Sequence, residues 1–181
     1  GITYKRWQKY PKAIKNFEKG LQLHVQLQDR FGEGKVLQNM GGCYSQMLEF
    51  DPAQKYIEKA MKIYMDIEEE LAIGNAMAEM GHIYKNKGQL TEALSCHTKA
   101  LGMFRKTDAK FNESRILIVI YDTYTNLGMY ESTERFLGDT QSFEKSFDDY
   151  YFLGRSYSIS SEINRWKGNM QQAEDDMHEA I

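Results

Sequence analysis

The stretch GKVLQNMGGCYSQMLEFDPAQKYIEKAMKI, residues 34–63, decides the predicted fold of this 181-residue chain because it recurs forty residues later. The second copy is GNAMAEMGHIYKNKGQLTEALSCHTKALGM, residues 74–103, and the two copies align without a gap. Equivalent positions hold the same small or aromatic residues: Gly41 and Gly81, Tyr44 and Tyr84, Ala53 and Ala93, and Ala60 and Ala100. Further steps of forty extend the alignment to five copies. A fixed period of this kind indicates a repeat architecture.

Each copy predicts two helices that run antiparallel. Apolar positions recur at helical spacing on both sides of a short break at residues 48–52. In this break Asp51 is predicted to cap the second helix, and Pro52 to occupy its first turn, where a missing N–H costs little. Gly88, Gly128 and Gly168 mark the same break in later copies and predict left-handed helix ends.

Small residues predict how closely the two helices of a copy cross. Gly41 and Ala53 have no side chain that would hold the backbones apart, so their crossing is predicted to be close. In the fourth copy Tyr121 and Thr133 stand at these positions. That crossing is predicted to be wider, or re-packed around Tyr121. The fifth copy resembles a terminal capping unit because it is more polar, with Ser160, Ser161 and Asn164 at formerly apolar or aromatic positions.

Composition narrows the class of protein. Two prolines in 181 residues favour an all-helical chain, and a net charge of -3 argues against nucleic-acid binding. We find neither an apolar run long enough to span a membrane nor a signal peptide. Two cysteines fit a reducing compartment, so we expect an intracellular, cytoplasmic protein. The chain starts with Gly rather than Met, which leads us to expect a fragment of a longer protein.

Motifs of catalysis and cofactor binding are missing from the sequence. It contains no phosphate-binding glycine loop, no CxxC, no HExxH and no nucleophile elbow, so we predict neither an enzyme nor a cofactor. His82, Cys96 and His97 fall short of a four-ligand zinc set, and no metal site is predicted. The periodicity assigns His97 to the core, since the equivalent residues are Phe17, Ile57, Leu137 and Met177.

The repeated pattern resembles the tetratricopeptide repeat (TPR) family. The residues that carry the resemblance are Leu37, Met40, Gly41, Tyr44, Ala53, Ile57 and Ala60, and Met77, Met80, Gly81, Tyr84, Ala93 and Ala100. The resemblance implies an all-α, right-handed superhelical solenoid of antiparallel helix pairs. Residues 1–181 would form one solenoid, with a partial repeat at 1–30 and repeats at 34–67, 74–107, 114–147 and 154–181. The forty-residue length is similar to the long-repeat subclass of Pins/LGN-type adaptors.

In the TPR family the first helix of each pair lines a concave groove, so the resemblance implies a binding surface there. In the long-repeat adaptors the second position of each repeat is Arg and the sixth is Asn. Counted from Gly34, Gly74, Ser114 and Gly154 as first positions, the residues of this chain that match the pattern are Lys35, Asn39, Arg115 and Arg155. At the second position Asn75 lacks the positive charge of Arg, and at the sixth position Val119 and Ile159 lack the amide of Asn. The peptide specificity is therefore expected to differ from that of the long-repeat adaptors. We predict that the groove is formed by Lys35, Gln38, Asn39, Asn75, Glu79, His82, Arg115, Ile118, Val119, Asp122, Arg155 and Glu162.

The function predicted from these features is that of a scaffold or adaptor for another protein. The partner would be a protein or peptide with polar or acidic groups and an apolar anchor, and nucleic acid and membrane insertion are not expected. Three alternatives stay open. The groove cations can be ordinary solvated helix residues, the chain can be a regulatory or sensor module of a larger enzyme or transcription regulator, or it can be a structural segment that uses its convex face. The sequence leaves the oligomeric state undetermined.

Overall fold

The computed structural model describes residues 10–144 and 150–179, and the side chains of residues 10–137 and 154–179. Within these ranges the chain forms helices and no strand, so the all-α prediction is confirmed. The helices are α1 (Tyr10–Gln26), α2 (Arg30–Gln46), α3 (Phe50–Asp66), α4 (Glu70–Asn86), α5 (Leu90–Lys106), α6 (Lys110–Asn126), α7 (Tyr130–Glu144), α8 (Tyr150–Trp166) and α9 (Met170–Glu179). The chain divides into two compact units, residues 1–103 and 104–181, and each is described by itself.

Helix starts recur every twenty residues from Tyr10 to Met170. The helices α1 to α6 are each 17 residues long, and three residues join each of them to the next. Because the connections are so short, consecutive helices that pack together run antiparallel. The forty-residue sequence repeat is therefore two equal steps of helix plus turn.

The middle residue of each described connection has a positive φ. These residues are Gln28, Leu48, Glu68, Gly88, Asp108, Gly128 and Gly168, with φ between 51° and 81°. The next residue closes the turn: the N–H of Glu49 donates to the Tyr44 carbonyl at 3.0 Å, and equivalent bonds occur at the other connections. This is the hydrogen-bond pattern of a left-handed helix end. The prediction for Gly88, Gly128 and Gly168 is confirmed.

One predicted helix cap is wrong. Helix α3 begins at Phe50, so Glu49 occupies the cap position, and it makes no side-chain capping hydrogen bond. Asp51 lies inside the first turn, where its charge still complements the partial positive charge of the helix N-terminus. The cap therefore lies two residues earlier than we predicted, directly after the left-handed Leu48. Pro52 lies in the first turn, as predicted.

The core of the first unit lies between α1 and α2, α2 and α3, and α3 and α4, which pack in succession. A Cβ atom on Gly41 would lie 2.7 Å from Ile57 Cδ1 and 3.2 Å from the Ala53 carbonyl oxygen. Such distances leave no room for a side chain, which confirms the predicted close crossing. In the next repeat a Cβ on Gly81 would lie 2.3 Å from the His97 ring. His97 is completely buried, as its repeat position predicted.

In the second unit α6 packs on α7, α7 on α8 and α8 on α9. Tyr121 is completely buried and meets the ring of Phe136 edge-on, with centroids 5.6 Å apart. The buried Thr133 hydroxyl donates to the Met129 carbonyl at 3.1 Å. The bulky Tyr121 therefore fills the crossing that Gly and Ala form in earlier copies, and the predicted re-packing is confirmed.

Side-chain hydrogen bonds join α8 and α9. Buried Asp176 accepts from Ser160 Oγ at 2.7 Å and from Asn164 Nδ2 at 2.8 Å, while Gln172 Nε2 donates to its other oxygen at 3.0 Å. Ser161 Oγ donates to the Ala173 carbonyl at 2.6 Å. The polar residues that distinguish the fifth copy therefore satisfy one another.

Candidate partner-binding surface

In the first unit the predicted groove residues lie on α2 and α4, the first helices of two successive pairs, which contact each other. Lys35, Asn39 and His82 are exposed, whereas Gln38, Asn75 and Glu79 are half-buried. Three of the six side chains are therefore exposed to solvent, and the other three are partly covered.

Gln38 and Glu79 join α2 to α4 by a hydrogen bond. Gln38 Nε2 donates to Glu79 Oε1 at 2.9 Å, and the Tyr64 hydroxyl on α3 donates to Gln38 Oε1 at 3.0 Å. Glu79 Oε2 is buried and has no hydrogen-bond partner. The Glu79 carboxylate therefore lies where α2, α3 and α4 meet, and one of its two oxygens accepts no hydrogen bond.

Burial controls the protonation of this carboxylate. Desolvation raises the pKa of Glu79 to about 7, although the hydrogen bond from Gln38 lowers it. Desolvation and the nearby Glu79 charge raise the pKa of Tyr64 to about 12, so the tyrosine remains a donor at neutral pH. Because loss of the Glu79 proton is centred near neutral pH, the charge of this wall changes between mildly acidic and mildly basic solution.

A concave pocket of about 350 Å³ opens beside Glu79. Residues of α2, α3 and α4 line it: Gly41, Gly42, Ser45, Gln46, Ile57, Glu79, His82, Ile83 and Asn86. Two of these, Glu79 and His82, were predicted groove residues. The pocket is therefore part of the predicted surface, with polar groups on α2 and α4 and an apolar floor.

The two histidines beside the pocket differ in environment. The His82 ring lies at the surface and meets the His97 ring, with centroids 5.0 Å apart. Burial, followed by the charges of His82 and Lys85, lowers the pKa of His97 to about 4. Among the residues that the structure describes, no group of three His, Cys, Asp or Glu side chains is placed to hold a metal ion.

In the second unit two predicted groove residues neutralise each other. Arg155 Nη2 on α8 donates to Asp122 Oδ1 on α6 at 2.5 Å. Arg115 and Glu162 are exposed, and the Arg115 guanidinium lies 5.6 Å from the centre of the Phe111 ring. Arg115 is thus more available to a partner than Arg155.

The predicted apolar contacts have unequal access. Ile118 is only 6% exposed and Ile159 only 2%, because both side chains point into the core, while Val119 is half-buried. Neither isoleucine therefore presents its side chain to a partner, although Ile118 is one of the predicted groove residues.

Sequence reasoning missed three apolar residues that do reach solvent. Phe31, Leu71 and Phe111 are 46%, 41% and 60% exposed. They stand forty residues apart, each one turn before Lys35, Asn75 or Arg115 on the same helix. The forty-residue period was the signal that could have identified them.

No helix in the described ranges has the length and apolar character needed to cross a bilayer.

Solved structures with similar folds are helical repeat proteins. BtubC (BKLC) from P. vanneervenii matches with a TM-score of 0.84 and 15% identity, over 95% of this chain and 72% of that one. A putative kinesin light chain from Podosopora anserina with nearly identical TPR-like repeats matches with a TM-score of 0.75 and 12% identity, over 99% and 90%. A Rap protein complexed with competence and sporulation factor matches with a TM-score of 0.75 and 14% identity, over 98% and 54%. At these identities the likeness establishes the TPR-like fold.

No curated protein sequence matches this chain. The family model described as soluble NSF attachment protein, SNAP, matches residues 1–141 of the 181. The matched stretch contains the partial first copy, the two predicted complete copies at 34–67 and 74–107, and most of the copy at 114–147. On this match the chain belongs to the soluble NSF attachment protein family, whose helical repeats are TPR-like.

Proposed function

We propose that this chain is a non-catalytic scaffold that binds a partner protein through the first helices of its pairs. The observation that carries the proposal is a repeated surface pair, an exposed apolar residue followed one turn later by a cation. Phe31 precedes Lys35 on α2, and Phe111 precedes Arg115 on α6. A single exposed aromatic ring is common on protein surfaces, but its recurrence at the same repeat position beside a cation points to an interaction surface, and aromatic and arginine residues are common at interface centres.

The chemistry of these pairs fits a partner segment with acidic and apolar groups. The cations would bind carboxylates, and the aromatic rings would contact an apolar side chain. The family name supplies a candidate, since a soluble NSF attachment protein is named for attachment to NSF. We extend that candidate to this chain and propose an intracellular location, which two free cysteines support. Assignment to the Pins/LGN-type subclass stays a proposal that rests on the forty-residue spacing.

The test measures binding of the labelled chain to purified NSF by fluorescence anisotropy. We expect Lys35→Glu and Arg115→Glu each to weaken binding about tenfold, which corresponds to about 1.4 kcal/mol. Both side chains are exposed, so reversal of their charge should leave the fold intact. Arg155 is left unchanged because its reversal would place two carboxylates together at Asp122.

Matched controls lie on the second helices of the pairs. Lys62→Glu on α3 and Arg135→Glu on α7 make the same charge changes at exposed positions. Equal losses in the control and groove variants would show a general charge effect and reject the surface assignment. No binding by the unmodified chain would reject NSF as the partner.

A further inference from the structure

The pocket between α2 and α4 has an acidic and amide-rich lining. Ser45, Gln46 and Asn86 supply hydroxyl and carboxamide groups, and Glu79 supplies a carboxylate. None of the nine lining residues, all within the described part of the chain, is Lys or Arg. His82 is the one titratable base among the nine, so when it is neutral an anionic ligand would meet the Glu79 carboxylate without a lining cation to balance it.

Glu79 also lacks one hydrogen-bond partner. Its Oε1 atom accepts from Gln38, whereas Oε2 is buried with no donor. A buried acceptor left unpaired costs free energy that a donor would restore. The terminal torsion of a glutamate side chain is soft, so a rotation about it can turn this oxygen toward a group in the pocket.

We propose that this pocket binds the ammonium or guanidinium group of a partner's Lys or Arg side chain, with Glu79 as its counter-ion. This inference rests on the proposed function and specifies the partner's chemistry at one position. An ammonium carries three donors, and the Glu79 carboxylate, the Ser45 hydroxyl and the Asn86 carboxamide offer acceptors around the pocket.

The size of the pocket agrees with this occupant. At about 350 Å³ it is near the lower end of the range for small-ligand sites, which is about 300 to 1,000 Å³. A single long side chain fits such a volume, and the apolar side chains of Ile57 and Ile83 would contact its methylene groups. Entry of the cation would favour the charged form of Glu79, so binding would release a proton near neutral pH.

Lys35 fixes the spacing of charges in the partner. It precedes Gly42 by seven residues on α2, which is about 10 Å along a helix axis. A partner segment that occupies both positions would therefore present an acidic group about 10 Å from its basic side chain.

The experiment titrates two blocked amino acids into the isotope-labelled chain and follows amide NMR signals. N-acetyl-lysine methylamide is the probe, and N-acetyl-norleucine methylamide is its uncharged match. We expect saturable shifts at Gly42, Ser45 and Asn86 with the lysine probe, at an affinity at least fivefold higher than for norleucine. Equal affinities for the two probes would overturn the proposal.

Two variants test the site by different routes. Glu79→Gln removes the charge, and Gly42→Leu fills the pocket while keeping Glu79. A Cβ on Gly42 meets nothing within 4 Å, so the larger residue should be accommodated. Both variants should lose the lysine-specific shifts at least fivefold, and retention in either folded variant would contradict the assignment.

Control substitutions separate a local effect from a general one. Glu58→Gln on α3 removes an exposed carboxylate, and Gly102→Leu on α5 adds a side chain where a Cβ also meets nothing within 4 Å. Neither residue lines the pocket, so both controls should bind the lysine probe as the unmodified chain does. Loss of binding in these controls would overturn the proposal.

The lysine titration stands apart from the NSF assay. It does not use Lys35 or Arg115, and the NSF assay does not use the pocket. Loss of NSF binding in Lys35→Glu without a lysine preference would reject the pocket and keep the proposed surface. A lysine preference without any NSF binding would keep the pocket and reject NSF as the partner.

Discussion

His97 places an imidazole in a position where other copies carry apolar side chains. It is completely buried, neither ring nitrogen makes a hydrogen bond of good geometry, and Gly81 provides the space that its ring occupies. Burial lowers its pKa from 6.5 to about 4, so the ring stays neutral in the folded chain at pH 5. The unfolded chain would bind a proton at this pH. The contribution of His97 to stability is therefore lost as pH falls from 6.5 toward 4.

Replacement of His97 by Leu should remove this acid sensitivity. Leu is the residue at the equivalent position of the fourth copy, Leu137, so an apolar side chain suits the repeat. We expect the stability of His97→Leu relative to the unmodified chain to rise by about 2 kcal/mol between pH 7.5 and pH 5. Urea unfolding at the two pH values measures the difference. A pH-independent difference in stability between His97→Leu and the unmodified chain would contradict the account.

At the residue scale the sequence predicted exposure better than pairing. Lys35 and Arg115 are exposed, as expected of groove residues that a partner must reach. The pairing of Arg155 with Asp122 joins residues 33 apart, and the sequence does not determine which rotamers meet. Burial of Ile118 depends on the helices around it rather than on its own neighbours in the chain.

The connections determine the helix boundaries at the element scale. Among the described connections, four of the seven residues with positive φ are not glycine: Gln28, Leu48, Glu68 and Asp108. A left-handed conformation costs an L-residue roughly 1 to 2 kcal/mol, which glycine avoids. The turn is therefore maintained by the helix packing and hydrogen bonds on both sides, even where the local residue disfavours it.

Exchange of residues between two equivalent connections should change stability in opposite directions. Leu48 is 63% exposed, so Leu48→Gly gives up little packing, and we expect a gain of about 0.5 to 1 kcal/mol. Gly88→Leu introduces the same strain at a position with no steric obstacle, and we expect a loss of about 1 kcal/mol. Thermal unfolding of both variants measures the effects. Changes of the same sign would show that backbone conformation does not govern these turns.

The presence or absence of glycine in the connections explains which helix ends could be predicted from the sequence. Repetition of Gly41 and Gly81 predicted the forty-residue period, and Gly88, Gly128 and Gly168 predicted three helix ends. Without glycine at residues 28, 48, 68 and 108, the twenty-residue step was not visible. The predicted repeat therefore starts at Gly34, whereas helix α2 begins four residues earlier, at Arg30.

At the scale of the whole molecule, each unit is held by helices that are close in sequence. In the first unit α2 packs on α1, α3 and α4, and in the second unit α8 packs on α6, α7 and α9. Stability in such an arrangement is approximately a sum of repeat and nearest-neighbour terms. A local defect should therefore weaken the helices around it more than distant ones.

Asp176 offers a test of this locality. Asp176→Ala would leave Ser160, Asn164 and Gln172 without their shared acceptor, and we expect a loss of about 2 kcal/mol. Hydrogen exchange should show weaker protection in α8 and α9 and unchanged protection in α2 and α3. Asp176→Asn keeps an acceptor oxygen and should have a smaller effect. A uniform loss of protection along the chain would contradict the nearest-neighbour description.

The equal twenty-residue steps also limit how this gene segment can grow or shrink. Unequal crossing-over between the codons of Gly41 and Gly81 would delete forty residues and rejoin equivalent positions of two first helices. A twenty-residue deletion would keep every turn in place but join a first helix to the sequence of a second one. The small residues of each crossing would then face the wrong neighbour. Viable length variants should therefore differ by whole helix pairs.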